Sequence, residues 1–88
     1  MKRMRVSVGR IVHYVVPKPP AYQPREGPVQ TAHLPAIVTH TWGGDSINLA
    51  VFGDHTMAPG PGIVLLPAVR HDEEFKTVGT WHWPERED

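Results

Sequence analysis

The side chains with the most chemistry to offer stand near the end, in Gly79-Thr80-Trp81-His82-Trp83-Pro84-Glu85. In an extended strand, positions i and i+2 share a face, so Trp81 and Trp83 stand side by side and His82 points the other way. Two indoles give a large flat apolar area, and each carries one N–H that needs a partner. The pair reads as the lid of a small barrel, as the floor of a binding site, or as a mixture in which one indole is buried and the other exposed as a stacking surface. Pro84 stops the element that holds them. Trp42, just before Gly43-Gly44, sits at a hairpin end and is the aromatic expected to be most exposed. An exposed indole beside Arg10 or Arg70 would suit a nucleotide, because base–aromatic stacking contributes about 1–3 kcal/mol per base.

Six histidines (His13, His33, His40, His55, His71 and His82) offer imidazole nitrogens, yet none falls in an HxxxH or HExxH spacing. Zinc asks for three or four ligands in defined geometry. His71-Asp72, or His40 with His82 across strands, could supply part of such a site. Ordinary surface or hydrogen-bonded histidine is the better account, so the sequence assigns no metal ligand and no cofactor. A catalytic nucleophile needs an adjacent base and an orienting group. Ser7 and Ser46 have no such flanks, and Asp72-Glu73-Glu74 reads as a solvated turn, so no catalytic residue is assigned and a non-enzyme is expected. Ala58-Pro59-Gly60-Pro61-Gly62 lacks the GxxxxGK[ST] pattern and a following helix. Its two prolines also remove N–H donors that an anion cradle would use. Pro17-Lys18-Pro19-Pro20 is formally a PxxP segment, read here as a stiff exposed loop. The expected ligand contacts are therefore Trp42, Arg10, Arg70, Trp81, Trp83, His40 and His82.

The elements that must position these groups are strands. Ten prolines and eight glycines leave no helical period, and the apolar runs between them are short and β-branched. Five strands are expected, over 6–16, 34–42, 46–52, 63–71 and 80–83. The first is apolar on both faces, with Ile11 and Val15 on one and Val8, Val12 and Tyr14 on the other, as in a strand buried on both sides or bending across a barrel. Gly43-Gly44-Asp45 gives a tight hairpin between the second and third, where glycine accepts the positive φ. Ile47, Leu49 and Val51 should point inward, and Asn48 and Ala50 outward. Pro67 removes a ladder donor and argues for an edge or a bulge in the fourth strand. One helical turn, anchored by Phe75, is expected within 71–79. Five prolines within 17–28 exclude regular sheet and helix there, and a loop that long on so small a chain is functional or mobile. This order predicts an all-β, SH3-like small five-stranded barrel with a long proline-rich first loop, an architecture that closes its own edges.

The bulk numbers bound the reading. At 88 residues one domain over 1–88 is expected, with a basic arm at 1–5, the proline-rich loop at 17–32 and an acidic tail at 85–88. A domain this small buries only roughly 60–65% of its unfolded surface, so association would help its stability. Cysteine is absent, which excludes disulfides and thiolate sites and fits a reducing compartment. No run has the roughly 18 apolar residues of a membrane helix. Basic and acidic residues number nine each, so the excess expected of a general DNA binder is missing. Protonation of the six histidines near pH 6.5 would make the chain basic in mild acid.

Three segments resemble small uncharacterised proteins of tailed phages and prophages: the opening Gly9-Arg10-Ile11-Val12-His13-Tyr14-Val15; the middle, Leu34-Pro35-Ala36-Ile37-Val38 and Trp42 with Asn48-Leu49-Ala50-Val51-Phe52; and the Gly79-Thr80-Trp81-His82-Trp83-Pro84-Glu85 ending. The proline-rich loop and the loop around Met57 differ from that group. The resemblance implies a phage-encoded accessory protein made in the host bacterial cytoplasm, and it implies no catalytic residues. Together with the exposed aromatics and scattered Arg and His, the expectation is a non-catalytic binding module. It would be a homo-oligomer holding a small anionic, nucleotide-type ligand between subunits, as a sponge for a host immune signal. The alternative is a structural or protein-interaction adaptor whose proline-rich loop and acidic tail engage a host or virion protein. A third reading is nonspecific nucleic-acid binding through Lys2, Arg3 and Arg5.

Overall fold

Strict alternation in Ile47–Phe52 shows how this chain chooses its inside. Ile47, Leu49 and Val51 are fully buried, while Asn48 and Ala50 are half-buried on the other face, the two-residue period of a sheet with one covered side. The computed structural model describes residues 5–53 and 60–85. It contains β1 (Ile11–Pro17), β2 (Thr31–Thr41), β3 (Ile47–Phe52), β4 (Ile63–His71) and β5 (Thr80–His82). In that order they close into an all-β, SH3-like barrel. Neighbours from β1 to β4 run antiparallel. The seam is made by β5, which pairs antiparallel with β1 and parallel with β4, through two residue pairs on each side. The interior is filled by Val12 and Val16 of β1, Leu34, Ala36 and Val38 of β2, the three inward residues of β3, Val69 of β4 and Trp81 of β5. Burying each such side chain contributes about 1.5–3 kcal/mol. No helix among the described residues is long and apolar enough to cross a membrane.

Two irregularities shape the rim. The β3–β4 register shifts between Ile47, opposite Val69, and Leu49, opposite Leu66, so Pro67 lies in a bulge as its missing N–H requires. Ala68 there has φ 51°, and its amide donates to Asn48 Oδ1 at 2.9 Å instead of to the ladder. A second shift lies between Val38 and His40, opposite β3.

Several boundaries differ from the sequence reading, each for a local or long-range reason. The first strand begins at Ile11, because Gly9 turns the chain at φ 92° and Arg10 N–H closes on Ser7 O. Val8 is consequently exposed and does not share the inward face of Val12. β2 begins at Thr31, since Thr31 pairs with Pro17 across the mouth of the proline-rich loop. That loop is tied together: Gln23 donates to Lys18 O and Gln30 O and accepts from Gln30 N–H, all at 2.8 Å. It also holds the one short helical segment among the described residues, a 3-10 turn at Pro20–Tyr22. The 71–79 segment instead makes reverse turns, because the Asp72 carboxylate captures the amides of Phe75 and Thr77 and the Thr77 hydroxyl. Phe75 is 78% exposed there and anchors nothing. Lys2, Arg3, His55, Met57 and 86–88 of the acidic tail lie outside the described residues.

Candidate functional site

The expected contact residues fall into three separate places. Trp81 is core: it is 1% exposed, its Nε1 donates to Asp45 O at 2.8 Å, and the His71 ring stacks on it at 4.0 Å. It is therefore not a ligand surface, because alternation turns it into the barrel. Trp83 is half-buried, meets Trp81 edge-to-face at 5.5 Å, and lies 6.0 Å below the Arg10 guanidinium. Trp81 is thus buried as the lid reading expects, while Trp83 keeps a half-exposed face beneath Arg10, as in the mixed reading. Arg70 is exposed opposite Thr80 and forms no ion pair among the described residues.

Trp42 is the exposed indole, as expected, at 62%. It sits just beyond β2, where the chain leaves the sheet for the Gly43 turn. Its Nε1 donates to Asn48 Oδ1 at 2.9 Å, and His40 meets its ring at 4.3 Å with the planes 71° apart. Asn48 thus holds both Trp42 and the Ala68 amide with one carbonyl oxygen, linking the hairpin end to the β4 bulge. Beside Asn48 runs an open, mostly apolar groove of about 270 Å³, walled by Thr39, Leu65, Leu66 and Pro67.

His82 does not pair with His40. The β1–β5 register sets it opposite His13, and the β1–β2 register sets His33 opposite Val15, two positions along the same face. Tyr14 and Trp81 occupy the inward positions of that seam, so the three imidazoles gather on its outer side. After β5 the chain passes Pro84 and brings Glu85 over them. The Glu85 carboxylate lies 2.9 Å from His13 Nδ1, 2.7 Å from His33 Nδ1 and 2.5 Å from His82 Nε2. The ring centroids are 4.4 Å apart for His33 and His82 and 5.6 Å for His13 and His82. His82 is completely buried beneath this polar cover, and its Nδ1 has no partner among the described residues.

The electrostatics follow from that packing. Partial burial alone would raise the Glu85 carboxyl. Its own backbone amide, the His82 hydrogen bond and the nearby His33 and His82 charges outweigh this and hold it at about 2. Burial lowers the His82 pKa, more than its hydrogen bond and attraction to Glu85 raise it. Glu73 is also lowered: burial opposes ionisation, but His71 Nε2 and the Trp83 amide, each at 3.0 Å, stabilise the charge.

Sequence spacing missed this cluster because its members come from three strands and a tail. Only the 13↔82 and 15↔33 registers bring them together. The one local signal was the His82–Glu85 spacing within the tryptophan ending. Comparison with protein-family models, with curated proteins and with solved structures finds no match.

Proposed function

We propose that this chain is a non-catalytic binding module that takes a flat, small anionic ligand of the nucleotide class on the Trp42 ledge. The observation that carries this reading is an indole 62% exposed yet held at both ends, by Asn48 on its N–H and by the His40 ring. Its one donor is already used, so it offers a ligand only its π face, which suits stacking with any base. Fixing the ring beforehand removes about 0.5–1.5 kcal/mol of ordering cost on binding. The neighbouring groove lined by Leu65 and Pro67 supplies an apolar wall. Arg10, engaged with Trp83, belongs to a different place. The resemblance to tailed-phage proteins supports a narrower version, in which the ligand is a signalling nucleotide sequestered in a host cytoplasm. Calorimetric titration with linear and cyclic nucleotides is the test. Heat that disappears in Trp42→Ala supports the reading, and silence across the panel ends it.

A second reading, a protein-interaction adaptor or self-associating barrel, is favoured by the outer surface. Ile11, Ile37, Ala50 and Leu65 form one continuous cross-strand row, and Phe52 pairs with Ile63 alongside it. Ile11, Ile63 and Leu65 are each more than half exposed, and contiguous exposed apolar patches mark interaction sites. A monomer at all concentrations by sedimentation, together with no protein captured from infected lysate, would remove this reading.

A further inference from the structure

On the opposite side of the seam from the barrel core, the geometry points to a site for a divalent transition-metal ion of the Zn2+ kind, held by His13, His33, His82 and Glu85. The site lies apart from the Trp42 ledge and does not depend on the reading given for that ledge. One ligand atom from each of the four residues lies within 4.8 Å of all the others. In a tetrahedral zinc site, bonds of about 2.0–2.2 Å put neighbouring ligand atoms roughly 3.3 Å apart. The three nitrogens stand 2.5–2.9 Å from the Glu85 oxygens. An ion between them needs those pairs to open by only about 0.4–0.8 Å, within reach of small side-chain rotations.

The donor set selects the ion. Three imidazole nitrogens and one carboxylate oxygen suit borderline cations, of which zinc and cobalt accept four-coordination, whereas calcium and magnesium prefer all-oxygen shells. Four protein ligands fill the shell, which marks a structural site rather than a catalytic one with an open position.

The placement gives the ion a task. His13 belongs to β1, His33 to β2 and His82 to β5, while Glu85 lies in the extended segment after β5. The β5 strand is three residues long and joins each neighbour through two residue pairs. An ion bound to all four would rivet the weakest join of the barrel and hold the tail over the wholly buried His82. Because the unfolded chain cannot assemble ligands from three distant places, binding free energy becomes folding free energy.

The test uses the full chain stripped with a chelator, then titrated with Zn2+ alone, and with Co2+ as a spectroscopic reporter. We expect one ion per chain, a higher Tm with Zn2+, and the strong visible absorption of four-coordinate Co2+. His33→Gln and Glu85→Gln, both partly exposed and so tolerant of replacement, should each weaken binding at least tenfold. Circular dichroism should show the barrel intact in both variants. His40→Gln, away from the cluster, should bind as the parent does. Absence of stoichiometric binding, affinity unchanged in His33→Gln and Glu85→Gln, or loss equally severe in His40→Gln would overturn the proposal. In each of those cases the cluster is a hydrogen-bonded latch for the tail and nothing more.

Discussion

Trp81 and Trp42 are built from the same parts and end in opposite surroundings. Each donates its indole N–H to a carbonyl oxygen, Asp45 O at 2.8 Å and Asn48 Oδ1 at 2.9 Å. Each has a histidine ring against it, His71 stacked at 4.0 Å and His40 edge-on at 4.3 Å. Yet one is 1% exposed and the other 62%. The difference lies in register. Trp81 occupies an inward position of β5, in the seam beside Tyr14, whereas Trp42 falls just past the last residue of β2. The same local recipe therefore makes a core residue in one place and a ledge in another, and hydrogen bonding alone does not say which.

Substitutions can break that comparison, beginning where most is at stake. Trp81→Ala should cost about 3–5 kcal/mol, because it empties a core position and strands the Asp45 carbonyl, and chemical denaturation measures it directly. A cost under 1 kcal/mol would mean that Trp81 is no more central than Trp42. Next comes Asn48→Ala. It leaves the Trp42 Nε1 and the Ala68 amide without their acceptor, and should cost about 1–2 kcal/mol. Trp42 fluorescence should show the ring loosened while Trp81 is unaffected.

Acid should separate the two indoles in the metal-free protein. Glu85 lies on the outer side of the seam whose inner side carries Trp81, with a folded pKa of about 2 against an ordinary 4.5. A depressed carboxylate stabilises fully above the unfolded value, and that contribution is lost as pH falls from about 4.5 towards 2. His82 is depressed as well, from 6.5, so the unfolded chain takes up its proton first and stability declines as pH drops below 6.5. The groups facing it are His13, His33 and Glu85, with Lys76 adding repulsion. Indole N–H signals should therefore shift at Trp81 and Trp83 before Trp42 as the solution is acidified. Glu85→Gln should flatten the lower window, with a cost of about 0.5–1 kcal/mol at neutral pH, since its side chain is 40% exposed and solvent screens the interaction. The smallest effect is expected for Trp42→Ala, within about 0.5 kcal/mol of the parent, together with loss of nucleotide binding if the ledge is the recognition surface. Unfolding of this variant would erase the contrast with Trp81.

The same two residues show how far the sequence could be read. Period-two alternation at Ile47, Leu49 and Val51, the Gly43-Gly44 turn and the bulge at Pro67 are local signals, and each forecast its structure. Where a boundary depended on a distant partner, local reading fell short. Thr31 is in a strand because Pro17 lies across from it. Phe75 is exposed because Asp72 closes a turn in front of it. The exposed Trp42 was legible from its place beside a glycine turn. The gathering of His13, His33, His82 and Glu85 was not, since it arises from two registers that no nearby residue encodes.

The brevity of β5 carries a consequence for how this molecule breathes. A barrel opens at its loosest stave, and Thr80–His82 is held by the fewest rungs of any strand. Its amides should exchange with deuterium well before those of Val38 or Val51. The stave also carries Trp81 on its inner side and His82 on its outer side, so whatever grips that histidine also keeps the interior shut.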